Sequence, residues 1–273
     1  MIVWACANQK GGVGKTTSAV ALGGLLSEKG HRVLLVDFDP HTSLTSYFGM
    51  DSDNLEHTSY DLFEAEVNKD NRQPIHQAIV RTAFDRLDLL PGSLALATLD
   101  KHLSKLAGMG LVLKRNLAQV AEQYDYAIID CPPIVGILMI NALASCQHLI
   151  IPVQTEFLAL KGLERMVRTI QMVIRAQHHK LDYTILPTMY DRRTKASVQS
   201  LRTLKKTYED RLWQSCVPID TRFRDASKEA TPPSIFDPQG KGVNAYDRFL
   251  RYLLDPKNKE KTEEEVDLSG ESP

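Results

Sequence analysis

Short apolar runs alternate along this chain with longer segments in which apolar residues recur every three or four positions. The first run is Ile2–Ala7, and a helical pattern that includes Ala19, Leu22 and Leu26 follows at residues 16–29. Buried strands that alternate with helices form a mostly parallel sheet with helices on both faces, so the pattern predicts an α/β fold. It also predicts strands at 32–37, 87–91, 126–130, 149–153 and 184–190, and helices at 94–106, 111–124, 158–177 and 243–254.

A glycine-rich segment lies between the first predicted strand and the first helix. It fits the phosphate-binding pattern G-x-x-x-x-G-K-[ST] apart from the first glycine, whose place is taken by Asn8-Gln9-Lys10. Glycines let the backbone turn tightly so that its N–H groups reach phosphate oxygens, and the start of a helix favours an anion. Lys15 would neutralise the β- and γ-phosphates, and the Thr16 hydroxyl would ligate Mg²⁺. The predicted nucleotide-contacting residues here are Lys10, Gly11, Gly12, Val13, Gly14, Lys15, Thr16 and Thr17.

Acidic residues stand at the ends of two predicted strands. Asp37 and Asp39 come at the end of the second strand, and Asp130 ends the apolar run at 126–130. Ligands of such sheets bind at the carboxyl ends of the strands, so these carboxylates should face the phosphates. An apolar strand that ends in an acid is typical of a cation site, and Asp130 would hold Mg²⁺ through water.

Composition adds limits rather than new chemistry. The chain has 273 residues, 43% hydrophobic and 25% charged, with a formal net charge of −1, which is typical of an ordinary soluble globular protein. Its four cysteines form no C-x-x-C pair. No apolar run approaches the ~20 residues needed to span a bilayer. The chain begins almost directly on a strand. We therefore expect a cytoplasmic protein with one domain at residues 1–256, built around the phosphate-binding loop, and a disordered acidic tail at 257–273.

A second lysine in the loop gives the sequence a family resemblance. Lys10 and the D-x-D-P sequence of residues 37–40 resemble the deviant Walker A ATPases of the ParA/MinD type. The resemblance implies an ATP-sandwich dimer in which Lys10 of each subunit reaches the other subunit's phosphates. It implies that Lys10, Lys15 and Asp39 carry catalysis, with Asp39 orienting or activating the attacking water. Asp37 would support the Mg²⁺ shell, so that the metal residues are Thr16, Asp37 and Asp130.

Further segments extend this resemblance over roughly residues 1–254. Pro218 resembles the family's proline near the adenine ring, and Met189 is placed with it at the nucleotide. His41-Thr42-Ser43 departs from the Gln-Gly-Asn of many relatives, so His41 is interpreted as a loop contact rather than a catalytic group.

A basic region lies in the second half of the chain. Twelve lysines and arginines against six acidic residues give residues 171–228 a net charge of about +6, enough to engage a polyanion through phosphate contacts. Two segments here resemble family stretches that bind DNA non-specifically in the ATP-bound dimer, which implies DNA contacts for Arg193 and Arg222. Ile219 stands where relatives often carry arginine, and a merely solvated basic face is the alternative.

The resemblance is strongest to one branch of the family. Residues 154–166 and 220–233 are most similar to the ParA-like proteins encoded with chemotaxis genes in polar flagellates, often called ParC. This implies a slow, partner-stimulated ATPase that dimerises on ATP and directs chemoreceptor arrays to the cell pole. The expected partners are a second copy, non-specific DNA and a polar or array protein, and the expected places are a cell pole or the nucleoid.

Two other functions remain open. One is the same machine moving plasmid or chromosomal DNA. The other is a metabolic P-loop ligase similar to dethiobiotin synthetase, which would require a small-molecule pocket and ATP turnover that depends on a carboxylate or amine substrate.

Overall fold

The computed structural model describes residues 1–69, 74–99, 108–177 and 181–255, without the side chains of 174–177. Its strands are β1 (Ile2–Cys6), β2 (Val33–Asp37), β3 (Val80–Arg81), β4 (Leu87–Leu90), β5 (Tyr126–Asp130), β6 (His148–Gln154) and β7 (Asp182–Thr188). They form a 7-stranded sheet in the order β3-β4-β2-β5-β1-β6-β7, in which only β3 and β4 pair antiparallel. The predicted α/β fold with a mostly parallel sheet is confirmed.

Helices connect the strands. In chain order they are α1 (Lys15–Glu28), α2 (Ser43–Tyr47), α3 (Asp61–Val67), α4 (Pro74–Ala78), α5 (Val112–Gln119), α6 (Ile137–Ser145), α7 (Phe157–Gln177), α8 (Lys195–Thr207), α9 (Arg222–Lys228), α10 (Pro233–Phe236) and α11 (Lys241–Leu254). No helix in the described part of the chain combines the length and apolar character that crossing a bilayer requires.

The sequence pattern missed some of these elements. Helix α6 is buried nearly all round, so it shows no polar face from which a helical period could be read. Strand β3 has only two residues, and α8 is largely polar, with Ser197, Ser200 and Leu204 as its buried residues. Of the helix predicted at 94–106, residues 94–98 form a 3₁₀ turn and the positions after 99 lie outside the described residues, as does the acidic tail.

Two apolar layers cover the sheet, one on each face. Along β1 the side chains alternate: Val3 and Ala5 belong to the core beneath α3, α5, α6 and α7, whereas Trp4 and Cys6 belong to the core beneath α1 and α11. Strands buried on both faces read as continuous apolar runs, which explains why β1, β2 and β5 were visible in the sequence.

The strand order assembles the edge at which chemistry is expected. β5 lies between β1 and β2, and in the register of these parallel pairs Cys6 is opposite Asp130, which in turn is opposite Asp37. The glycine-rich loop that follows β1 therefore begins beside Asp130, with Asp37 one strand further away.

Helix α1 packs tightly against the segment before α10. A Cβ atom added at Gly24 would lie 2.8 Å from Pro232 Cβ and 2.9 Å from Ser234 Oγ, whereas one at Gly23 would meet the movable end of the Leu35 side chain at 2.8 Å. The rigid proline ring makes Gly24 the position where α1 needs glycine.

We expect Gly24→Ala to unfold more easily than Gly23→Ala. Both substitutions gain the helix propensity of alanine, about 1 kcal/mol, but only the first forces a rigid contact apart, at a cost of about 1–3 kcal/mol. Urea denaturation curves of the two variants and the parent chain measure the difference. Equal midpoints for the two variants would contradict this account of the α1 contact.

Candidate active site

The glycine-rich loop is fixed at both sides by hydrogen bonds to the neighbouring strands. The Asn8 side chain donates to the carbonyl of Pro152 at 2.7 Å, and the Thr188 hydroxyl donates to the carbonyl of Val13 at 2.9 Å. Gly12 and Gly14 have φ angles of 73° and 92°, in the left-handed region that favours glycine. The loop is thus held in a fixed shape that other residues would strain.

Gly11 differs from these two glycines. Its φ angle is not in the left-handed region, and a Cβ atom there would meet nothing within 4 Å. The described chain therefore has no internal reason to require glycine at this position.

A threonine and an aspartate meet at the start of α1. The Thr16 hydroxyl donates to Asp130 Oδ2 at 2.5 Å, and Asp130 Oδ1 is buried without a hydrogen-bond partner in the described structure. A buried carboxylate oxygen without a partner is costly, and a hard cation with oxygen ligands would satisfy it. Because the described residues include no cluster of three or more His, Cys, Asp or Glu able to hold a metal, phosphate and water oxygens would complete a Mg²⁺ shell there.

Burial makes this edge of the sheet electrostatically strained. Burial, and after it the nearby Asp37, raises the pKa of Asp130 to about 8, although the Thr16 hydrogen bond and the charge of Lys15 oppose the shift. Burial likewise raises the pKa of Asp37 to about 6, against the hydrogen bonds from Thr45. Burial therefore disfavours the charged form of both carboxylates, and Lys15 offsets part of this cost at Asp130.

Asp37 has protein partners for both oxygens. Oδ2 accepts from the backbone N–H of Thr45 at 2.7 Å and from its hydroxyl at 2.6 Å, and Oδ1 accepts from the N–H of Asp39 at 3.3 Å. The Thr45 hydroxyl oxygen also accepts from the N–H of Gly92 at 2.8 Å, and a Cβ atom at Gly92 would approach the Asp37 carboxyl carbon to 2.9 Å. Asp37 thus anchors α2 and the loop that carries Asp39, beside any role in the metal shell.

Asp39 is buried in that loop and contacts the residue two positions later. Its Oδ1 accepts from the backbone N–H of His41 at 3.0 Å and lies 2.8 Å from the Nδ1 atom of the same histidine. The interpretation of His41 as a loop contact did not foresee that its ring would meet this carboxylate.

Lys10 forms an ion pair within its own chain. Its Nζ contacts Glu156 Oε1, at the start of the segment between β6 and α7, and both side chains are partly exposed. Sequence reasoning did not single out Glu156. The only available signal was a polar residue at the carboxyl end of a buried strand.

A cleft of about 630 Å³ opens beside the loop and the start of α1. Both residues predicted at the nucleotide base, Met189 and Pro218, line it, together with Thr16 and Thr17 of the loop. Tyr246 of α11 lines it as well, and its hydroxyl hydrogen-bonds Ser18 at 2.8 Å. The cleft is large enough for a nucleoside, and the loop beside it is shaped for phosphates.

The two arginines predicted to contact DNA lie in different settings. Arg193 is well exposed and makes a two-pronged ion pair with Asp191 at 2.9 Å for each bond. Arg222 contacts Asp225 and Asp237, and its guanidinium lies 4.6 Å from the centre of the Phe236 ring. Arg193 borders a groove at the start of α8. The residues that line this groove are Arg192, Arg193, Lys195, Val198, Gln199 and Arg202.

Comparison with known proteins shows similarity along nearly the whole chain. A family model described as an AAA domain (AAA_31) matches residues 1–183. The Bacillus subtilis sporulation initiation inhibitor protein Soj is 37% identical over 245 residues, which cover 89% of this chain and 94% of that protein. The Caulobacter vibrioides chromosome partitioning protein ParA is 32% identical over 255 residues, which cover 92% of this chain and 93% of that protein. One similar solved structure, from Mycobacterium smegmatis, is described as cobyrinic acid a,c-diamide synthase with bound ADP and magnesium. It has a TM-score of 0.79 and 35% sequence identity, and the match covers 93% of this chain and 94% of that chain.

The raised pKa of Asp130 predicts how the metal-free protein responds to pH. The folded chain holds a proton on Asp130 up to about pH 8, whereas the unfolded chain releases it near the ordinary value of 3.8. Its contribution to stability is therefore complete below about pH 4 and is lost as the pH rises towards 8. We expect Asp130→Asn to raise the melting temperature of the EDTA-treated, nucleotide-free protein at pH 8 and to flatten its decline above pH 5.

Thermal unfolding of the two proteins between pH 5 and 8.5 tests this expectation. Asp85→Asn is the matched control, because the Asp85 side chain is almost fully exposed whereas that of Asp130 is fully buried. A lower melting temperature for Asp130→Asn than for the parent at pH 8 would show that the buried charge is not destabilising.

Proposed function

This chain belongs to the AAA_31 family, among the ATPases of the ParA/MinD type, and we propose that it is a partitioning ATPase that moves or anchors a DNA cargo. The observation that carries the ATPase part of the proposal is the contact between Thr16 and the buried Asp130 at a phosphate-binding loop, with one Asp130 oxygen free to serve a cation. ATP and Mg²⁺ are the cofactors that this arrangement fits.

The phosphates would lie in the loop. Backbone N–H groups of the loop and the start of α1 favour the anion, and Lys15, whose side chain is mostly buried, neutralises charge on the outer phosphates. Thr16 and Asp130 would hold Mg²⁺, which when bound supplies charge neutralisation between the phosphates. Met189 and Pro218 would contact the base in the adjoining cleft.

Hydrolysis requires a water placed in line with the terminal phosphate. Asp39 is the buried carboxylate of this edge whose second oxygen, Oδ2, accepts no hydrogen bond within the described residues, and Asp37 holds its backbone N–H in place. We assign to Asp39 the orientation or activation of that water.

Dimer formation on ATP would require Lys10 to change partners. In the single chain Lys10 is paired with Glu156, so it reaches a second subunit's nucleotide only after that pair opens. Exposed ion pairs of this kind are worth about 0–1 kcal/mol, which a γ-phosphate can readily replace. Large apolar side chains that follow the ends of β5 and β6, namely Ile134, Phe157 and Leu158, are each about two-thirds exposed and would be covered by a second copy.

The cargo follows from the relatives rather than from the site. The Caulobacter relative is named for chromosome partitioning. None of the three proteins described above carries a name that refers to chemotaxis. The partitioning function therefore fits the similar proteins better than the chemotaxis-array role. The polar, array-directing role remains a prediction from the resemblance of residues 154–166 and 220–233. We accordingly propose the nucleoid as the place of action.

A metabolic ligase is the second candidate. The Mycobacterium smegmatis structure is described as a cobyrinic acid a,c-diamide synthase, an enzyme of a different class. A ligase would hydrolyse ATP only with a carboxylate substrate present, whereas a partitioning ATPase turns ATP over slowly by itself and faster with its partners. ATP turnover without added carboxylate distinguishes the two.

We expect Asp39→Ala to form a stable dimer with ATP but not with ADP, because the water is no longer oriented and the nucleotide is not cleaved. Sedimentation velocity measures the dimer, and phosphate release measures turnover. Gly11→Val is the matched variant: its side chain has free space in the single chain, so nucleotide should still bind while close approach of a second copy is blocked. An ATP-dependent dimer of Gly11→Val, or unchanged hydrolysis by Asp39→Ala, would contradict the assigned roles.

We expect the groove at α8 to contribute more to DNA binding than Arg222. Lys195 and Arg202 line the groove, whereas Arg222 is already paired with two aspartates. In the Asp39→Ala background with ATP, Lys195→Ala/Arg202→Ala should weaken binding to non-specific duplex DNA and reduce the salt slope by about 2. Lys114→Ala, an exposed lysine on α5, is the control, and a stronger loss from Arg222→Ala would shift the DNA site to α9.

A further inference from the structure

We infer that His41 is a positioning residue for ATP hydrolysis, whose imidazole holds the Asp39 carboxylate in its working orientation. The inference rests on the ATPase function proposed above. It goes beyond that function because it assigns a role to a residue that departs from the Gln of many relatives.

The contact is made by two atoms of one residue. The backbone N–H of His41 donates to Asp39 Oδ1 at 3.0 Å, and the ring Nδ1 lies 2.8 Å from the same oxygen. The Asp39 side chain is only 9% exposed, whereas that of His41 is 73% exposed. The ring therefore reaches a buried carboxylate from the solvent side and occupies one of its oxygens, while Oδ2 stays available for water.

The ring contact is more than the local turn requires. A turn in which an aspartate accepts the N–H two positions later needs only a backbone donor, which any residue except proline supplies. The additional bond from Nδ1 restricts rotation of the carboxylate, and a histidine has only two side-chain torsions to order. Removal of the ring would leave the turn in place but take away one of the two hydrogen bonds that restrain the carboxylate.

The charges around Asp39 give the imidazole a second effect. Besides burial, the charge of Asp39 raises the pKa of both Asp37 and Asp130, and Lys15 is the positive group that lowers the pKa of Asp130. A protonated imidazole would turn the hydrogen bond to Asp39 into an ion pair and make that carboxylate a weaker base towards water. A neutral imidazole that donates from Nδ1 orients the carboxylate without this loss.

Substitutions at His41 test the role of the ring as a donor. His41→Phe keeps a ring without a donor, His41→Gln keeps a side-chain donor, and His41→Ala leaves space for added imidazole. We expect His41→Phe to lower kcat by about 10- to 100-fold with the KM for ATP unchanged, His41→Gln to retain most activity, and imidazole to restore part of the activity of His41→Ala. Ser46→Ala, an exposed residue in α2, is the control and should behave like the parent.

Rescue by imidazole supplies a readout that a structural role would not move, because added imidazole can replace a lost donor but cannot repair a distorted loop. Full activity of His41→Phe, or equal loss in the Phe and Gln variants without imidazole rescue, would overturn the inference. A parent protein that shows no ATPase activity, or Asp39→Ala with normal activity, would instead overturn the proposed function.

Discussion

A buried carboxylate that the protein satisfies only halfway is the constraint on which the rest of the site depends. Asp130 ends the central strand β5 in full burial, bonded to Thr16 through one oxygen and to no described protein group through the other. Leaving such a group charged is costly without a cation or a proton. The fold maintains it because β5 lies between β1 and β2, which fixes Asp130 beside the phosphate loop and beside Asp37. Nucleotide and metal binding would relieve this cost.

The two acids near Asp130 differ in how many of their oxygens are taken up by hydrogen bonds within the protein. Asp37 uses both oxygens to hold Thr45 and the backbone of Asp39, so it fixes the loop. Asp39, two residues later, uses only Oδ1 within its own loop, where that oxygen contacts the backbone N–H and the ring of His41. Two acids that look equivalent in the sequence D-x-D-P thus differ in what surrounds them, and the environment of each sets the work it can do.

The Lys10–Glu156 ion pair suits the exchange of partners proposed above for an ATP-bound dimer. It is made within a single chain, by the segment that precedes α7. Both partners are partly exposed, so opening the pair costs little and Glu156 can be hydrated afterwards. A weak intrachain contact is suited to this role, because a buried ion pair would hold Lys10 too firmly for exchange.

The sequence by itself determined the fold class, the phosphate loop and the acids at the strand ends. These features follow from local rules: the period of apolar residues, the backbone freedom of Gly12 and Gly14, and the position of Asp130 at the end of an apolar run. Tertiary structure alone decided that Lys10 meets Glu156, 146 positions away, that Arg222 is held by Asp237, and that the ring of His41 lies on Asp39 rather than in solvent alone. The first two contacts join segments that are distant in the chain, and the order and register that bring such segments together are not encoded in the local periodicity. The third depends on a side-chain torsion, which a sequence pattern leaves free and only the packed loop fixes.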